Sequence, residues 1–354
     1  MAFSPTLTEN TFTHADNKHT TFYWSAGPPS GPLLIFVHGW PANGETWKPQ
    51  LLALAALGFH TIAPDCRGYG RSSAPPVGKG GVRGYALEQH VGDLRALLAH
   101  LDRDRAVWVG HDWGAALVWG LAAHHPEACV GVITMVVPYR TLDVGLRKSL
   151  HLVNRELYPP DKLPYAQFGY QAFHEQQPER AARLLEADVA GSVKWVYAPG
   201  DPAEFGKQSF AAFILESNGW FGKGVESAPE VKLEDTVLAH DKGLFERLVE
   251  GFEKNGFEGP NAYYLNHDVN EVYSENVPNG GYLDFPVLFV EAKWDTIADT
   301  AISRMTEPMK KYVKNLTQVS IDSGHWVGLE KPEEVNLAII EWLRTKLPSY
   351  YPSH

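Results

Sequence analysis

Residues 106–109 form a short apolar run that passes directly into Gly110-His111-Asp112-Trp113-Gly114-Ala115 and then into a helical pattern stopped by Pro126. The small residues at 110, 114 and 115 allow a strand to turn sharply into a helix, which lifts the middle side chain, Asp112, out above the sheet. A strand this apolar has no polar face to show to water. It belongs in the interior of a largely parallel sheet with helices on both faces, and such sheets place ligand chemistry at the carboxyl ends of their strands.

The rest of the chain supplies that sheet. Strand patterns fall at 20–25, 33–37, 60–63 and 130–137, and return at 286–290 and 316–321, with helical spacing at 46–57, 85–101, 115–125 and 335–347. Between the two groups, helical segments rich in Tyr, Phe and Trp are broken by Pro159-Pro160, Pro199-Gly200-Asp201-Pro202 and Gly259-Pro260. The expected organisation is a core of residues 1–137 and 282–354, split by a helical cap at 138–281. The glycine-rich stretch 78–84 has neither dinucleotide nor P-loop spacing and reads as a mobile surface loop.

Composition narrows the partners. Of 354 residues, 44% are hydrophobic and 21% charged, as in an ordinary globular protein, and the formal charge of -11 works against nucleic acid or an anionic membrane as the main partner. Cys66 and Cys129 are too few for a disulfide framework or an all-cysteine zinc site, so reduced thiols are expected. Met1 to Asn10 lacks a basic, then apolar, leader pattern and no run is long enough to span a bilayer, which makes the cytoplasm the expected location.

Asp112 changes the chemistry available at the turn. A serine oxygen attacking an sp3 carbon forms an ether that water does not cleave, whereas a carboxylate forms an ester that water hydrolyses at the carboxyl carbon. Hydrolysis needs a base. His325, in Asp322-Ser323-Gly324-His325-Trp326, follows the last strand pattern, and Asp295 follows residues 286–290 as its orienting acid. Asp299 is a nearby rival, better suited to starting the next helix. The backbone N–H groups of Trp40, after residues 33–37, and Trp113 are placed to form an oxyanion hole. His174-Glu175-Gln176-Gln177-Pro178 has proline where a zincin needs its second histidine, so no metal and no cofactor is expected.

With His38-Gly39-Trp40-Pro41, Asp65-Cys66-Arg67-Gly68-Tyr69-Gly70-Arg71-Ser72, Gly110 to Gly114, Asp295, and Ser323 to Trp326 followed by Glu330-Lys331-Pro332, the chain resembles soluble epoxide hydrolases of the α/β-hydrolase fold over nearly its whole length. The resemblance implies two cap tyrosines that hydrogen-bond the epoxide oxygen. The first maps onto Tyr170 and the second onto Tyr263, with Tyr264 as rival because Ala262 and Tyr264 depart from the usual pattern. It further implies an apolar epoxide and water as reactants, a vicinal diol as product, and allows a homodimer. A hydrolytic haloalkane-type dehalogenase is the alternative enzyme, although that group carries an amide donor where this chain has Trp40. A non-catalytic ligand-binding protein on the same fold is the alternative outside enzymes. Trp195, Tyr197, Phe210, Phe213, Trp220 and Phe221 are expected to contribute rings to an apolar pocket that favours bulky or aryl epoxides.

Overall fold

The computed structural model describes residues 5–16 and 18–352, so residues 1–4 of the segment read for a leader lie outside it. Eight strands form one sheet in the order β1-β2-β4-β3-β5-β6-β7-β8. They are β1 (Thr8–Thr13), β2 (Thr20–Ala26), β3 (Leu33–Val37), β4 (His60–Pro64), β5 (Ala106–His111), β6 (Cys129–Met135), β7 (Leu283–Ala292) and β8 (Val313–Ile321). Every pair from β4 to β8 is parallel, and β2 alone runs against its neighbours β1 and β4.

Burial explains which strands could be read in advance. All residues of β3, β4 and β5 are buried, as an unbroken apolar run in the middle of a doubly covered sheet requires. The sequence reading omitted β1, whose Thr-Glu-Asn-Thr-Phe-Thr run buries only Phe12. It is an edge strand held by pairing with β2 along its length, from Thr8 opposite Ser25 to Thr13 opposite Thr20.

The register puts Val37 beside Gly110 and Gly110 beside Thr134, so β3, β5 and β6 end together. The helix Trp113–His124 starts directly from β5 and is buried on every side up to Ala123. It lies beneath other elements as well as on the sheet, which is why its sequence shows no polar face. Cys66 and Cys129 are buried and unbridged. No helix among the described residues is long and apolar enough to cross a membrane.

Between β6 and β7 no strand occurs among the described residues. Helices Gly169–Gln176, Pro178–Glu186, Val189–Val196, Lys242–Asn255 and His267–Glu275 are joined there by shorter helical turns and loops. This insertion meets the sheet side through several polar contacts. Arg247 pairs with the buried Glu45, Lys48 Nζ lies 2.7 Å from Asp241, Arg83 lies 2.7 Å from Asp268, and the Tyr197 hydroxyl donates to the Pro41 carbonyl at 2.9 Å.

Two local expectations are corrected. The stretch 78–84 forms helical turns, Gly78–Gly81 and Val82–Tyr85. Asp299 starts no helix, since the next one is Glu307–Tyr312.

Candidate active site

Asp112 sits at the turn between β5 and the following helix with φ 53° and ψ −126°, a left-handed conformation that is costly for a residue with a side chain. Surrounding close contacts hold it. A Cβ on Gly114 would fall 2.0 Å from the Val37 carbonyl oxygen, and one on Gly39 would fall 2.4 Å from Asp112 Oδ1. Only glycine lets β3 and the helix approach this closely. The Trp40 N–H donates to Asp112 Oδ1 at 2.7 Å, and the neighbouring Trp113 N–H also favours the ionised carboxylate. Of the two backbone donors expected from sequence, Trp40 bonds this side chain directly. Burial raises the Asp112 pKa, opposed by the nearby His325 and by these two N–H groups.

His325 lies in the loop after β8. Its Nδ1 is 2.8 Å from Asp295 Oδ2, and its Nε2 is 3.9 Å from Asp112 Oδ2. Asp295, in the loop after β7, is held in turn because its Oδ1 accepts the N–H groups of Ile297 at 2.8 Å and Ala298 at 3.1 Å. Burial by itself would depress the imidazolium. The Asp295 charge and hydrogen bond, with Asp112, outweigh it and lift the His325 pKa to about 9. Asp295 is correspondingly held below its usual value, its burial overcome by His325 and the loop N–H groups.

Asp299 makes no hydrogen bond to His325. Its Oδ2 is buried without a partner, and burial together with the Asp295 charge raises its pKa to about 7. One further residue emerges that the sequence reading had not assigned. His111 donates from Nε2 to the His325 carbonyl at 2.7 Å, and burial lowers its pKa to about 3, so it stays neutral.

Asp112, Asp295 and His325 open onto a cavity of about 240 Å3. Tyr170 and Tyr264 line it from the insertion, their rings 5.6 Å apart and perpendicular. Tyr263 does not. Its hydroxyl donates to the Arg67 carbonyl at 3.2 Å and its ring packs 4.3 Å from His90, away from the cavity. The two tyrosines occupy the 3-10 turn Ala262–Leu265, where neighbouring side chains diverge by about a third of a turn, so an offset of one residue exchanges cavity for core. The placement of Tyr263 in the pocket is thus corrected to Tyr264.

Burial raises the pKa of Tyr170, with the Asp112 charge adding to the effect, and it pushes Tyr264 well up too. Both phenols keep their protons at neutral pH. Gln171 Nε2 donates to the Tyr170 hydroxyl at 3.1 Å, and the buried His174 ring stacks on Tyr264 at 4.7 Å. Of the aromatic residues expected at the pocket, Trp195, Phe210 and Trp220 line it. Tyr197 instead stacks on Trp326 at 3.9 Å, while Phe213 is exposed and Phe221 packs against Trp195. A second compartment of about 30 Å3 shares Asp112, Tyr170, Ile297 and His325 with the cavity and is bounded by Leu142, Phe168 and Met305.

Residues 32–332 match the family model for the alpha/beta hydrolase fold. The chain is 30% identical over 317 residues to bifunctional epoxide hydrolase 2 of Sus scrofa, covering 89% of this chain and 52% of that protein. It therefore spans about half the length of that mammalian relative. Epoxide hydrolase A of Mycobacterium tuberculosis is 30% identical over 323 residues, covering 90% of this chain and 92% of its own length. The crystal structure of epoxide hydrolase A from Mycobacterium thermoresistibile superposes with a TM-score of 0.74 at 27% identity, covering 96% of this chain and 99% of that one.

Proposed function

Because the chain belongs to the epoxide hydrolases of the α/β-hydrolase fold, we propose that it opens an apolar epoxide through an Asp112 ester and releases a vicinal diol. One observation carries the reading. One Asp112 oxygen is held by the Trp40 N–H, while the other lies 3.9 Å from His325 Nε2 in a cavity that also holds two protonated tyrosines.

The free oxygen, Oδ2, attacks an epoxide carbon. The C–O bond breaks, and the developing alkoxide takes a proton from Tyr170 or Tyr264. Neither phenol has to be deprotonated in advance, and their raised pKa values make the transfer late, as the oxygen gains charge. Asp112 is neutral as an ester, so one of the charges that favours imidazolium disappears and the His325 pKa falls from its resting value of about 9. As that pKa falls, His325 gives up its resting proton to solvent and becomes available as a base. His325 then takes a proton from water, hydroxide attacks the Asp112 carboxyl carbon, and the Trp40 and Trp113 N–H groups stabilise the tetrahedral oxyanion. Collapse breaks the ester C–O bond, the departing alkoxide takes the proton of the new Asp112 carboxyl group and leaves as the diol, and the imidazolium proton restores the tyrosine.

The unequal compartments suit an epoxide with one bulky or aryl substituent in the 240 Å3 cavity, leaving hydrogen or a methyl group for the 30 Å3 space. The dehalogenase alternative is weakened at Trp40, whose indole N–H is already bonded to Asn261 Oδ1 at 3.1 Å and gives no halide donor there. Single-turnover hydrolysis of styrene oxide in isotopically labelled water tests the proposal. The first-turnover label should appear in Asp112, and label in the first-turnover diol would overturn the ester mechanism. Release of halide from a chloroalkane without epoxide turnover would move the reading to the dehalogenase.

A further inference from the structure

Glu330 ends the short helical turn Val327–Glu330 after the His325 loop. Its carboxylate accepts backbone N–H groups from two separate parts of the chain. Oε2 receives Gly324 and Gly200, each at 3.0 Å, and Oε1 receives Trp326 at 3.2 Å. Gly324 and Trp326 flank His325, whereas Gly200 belongs to the insertion and lines the cavity with Pro199 and Asp201.

The joint is tight as well as polar. A Cβ on Gly200 would fall 2.2 Å from the Gly324 nitrogen, and one on Gly324 would fall 2.4 Å from Gly200 Cα. Beside it the Trp326 indole donates to the Val196 carbonyl at 2.9 Å and Tyr197 stacks on Trp326. Asp295 and His111 hold the ring and the carbonyl of His325, but its neighbouring amides are held by Glu330.

We propose that Glu330 is a positioning residue that fixes the backbone on both sides of His325 and ties that loop to the cavity wall at Pro199-Gly200-Asp201, so that the alignment of the base and the shape of the cavity change together. This rests on the reading of His325 as the base. The ionisable groups facing His325 are Asp295 from the loop after β7, Asp112 from the turn after β5, His111 at the end of β5, and Glu330. Glu330 adds to the charge that favours imidazolium, after Asp295 and Asp112. Removing it lowers the His325 pKa and loosens the ring at once. Ester hydrolysis, which needs an aligned base, should suffer more than alkylation, which needs none.

Glu330→Gln keeps one acceptor oxygen and removes the charge. In single-turnover experiments with styrene oxide it should leave alkylation within about twofold and slow ester hydrolysis about tenfold, with ester accumulating. The acid limb of hydrolysis should move to lower pH. Glu330→Asp should keep the limb in place and recover part of the rate. Equal slowing of both half-reactions with an unmoved limb would reduce Glu330 to a structural role, and unchanged kinetics would remove any role. If Glu330→Gln does not fold, Gly200→Ala tests the same joint by forcing the two backbones apart, and unchanged hydrolysis there overturns the coupling. If the wild-type chain turns over no epoxide, the functional reading fails. The imidazole titration of His325 by NMR then still decides the inference, since its pKa falls in Glu330→Gln only if the carboxylate acts on that ring.

Discussion

The loops at the strand ends hold Asp112, Asp295 and His325 by hydrogen bonds, many of them from backbone N–H groups, whereas the insertion holds Tyr170 and Tyr264 within a stack of aromatic rings. Asp112 and Asp295 accept from Trp40, Ile297 and Ala298 at 2.7–3.1 Å. Tyr264 lies against His174, Trp113 and Tyr170 with ring centroids 4.7–5.6 Å apart. A directional bond defines the position of one atom, while ring packing defines a plane and leaves the hydroxyl to its local partners. The charged groups are thus fixed atom by atom, and the proposed proton donors by the shape of a buried layer. Changes on the first side should act on chemistry in large, discrete amounts. Those on the second should act in smaller amounts that depend on neighbouring rings.

The largest effect belongs to Asp112→Ala, which should lose turnover by more than about 10³-fold with the chain still folded and no ester detectable by mass spectrometry. Substantial residual turnover would mean that the carboxylate is not the attacking group. Next comes His325→Gln. It should still form ester at close to the wild-type rate while turnover falls by about 10²-fold or more, so that intact-mass measurement finds the adduct. A variant that neither accumulates adduct nor loses turnover would show the base to lie elsewhere.

On the insertion side, Tyr264→Phe should slow alkylation by about 10- to 10²-fold, because Tyr170 remains as a donor, and Tyr170→Phe should do likewise. Tyr263→Phe should leave alkylation almost unchanged and cost about 1 kcal/mol of stability, the value of its bond to the Arg67 carbonyl. Stopped-flow alkylation rates and denaturation midpoints of the three variants separate these outcomes, and a reversed order between Tyr263 and Tyr264 would invalidate the donor assignment.

The last prediction is a displacement along the pH axis. Asp295 raises the His325 pKa, so Asp295→Asn should move the acid limb of ester hydrolysis downward, since the imidazole then stays neutral to lower pH. Its plateau should fall as well, because the ring loses its orienting partner. An unmoved limb in the pH–rate profile would exclude Asp295 as that partner.

The same division governs what could be read from the sequence. Asp112 was legible because a fully buried strand, a turn of small residues and a helix leave one side chain projecting, and Asp295 and His325 because each follows a recognisable strand. Tyr264 was not, since a 3-10 turn carries too little periodicity to separate two adjacent tyrosines. β1 escaped because a polar edge strand has no buried face to announce it. Glu330 stood in a recognised motif, but its contacts escaped for another reason. Its meaning depends on Gly200, 130 residues earlier, whose approach to Gly324 exists only once the insertion has folded over the sheet. The stretch at 78–84 forms short helical turns where a loop was expected, because its glycine-rich composition carries no periodicity to announce them.

Asp112 lines the cavity from the sheet side, and Tyr170 and Tyr264 line it from the insertion. A three-membered ring held by its oxygen at the phenols presents the back of a C–O bond to the carboxylate, and displacement at a saturated carbon proceeds only from there. On the proposed mechanism the attacked carbon should therefore invert its configuration, while the later cleavage at the Asp112 carboxyl carbon should leave that carbon untouched. A cyclohexene-type epoxide should leave as the trans diol. The two mirror forms of a one-sided epoxide should also react at different rates, because only one can place its substituent in the larger compartment with the unsubstituted carbon facing Asp112.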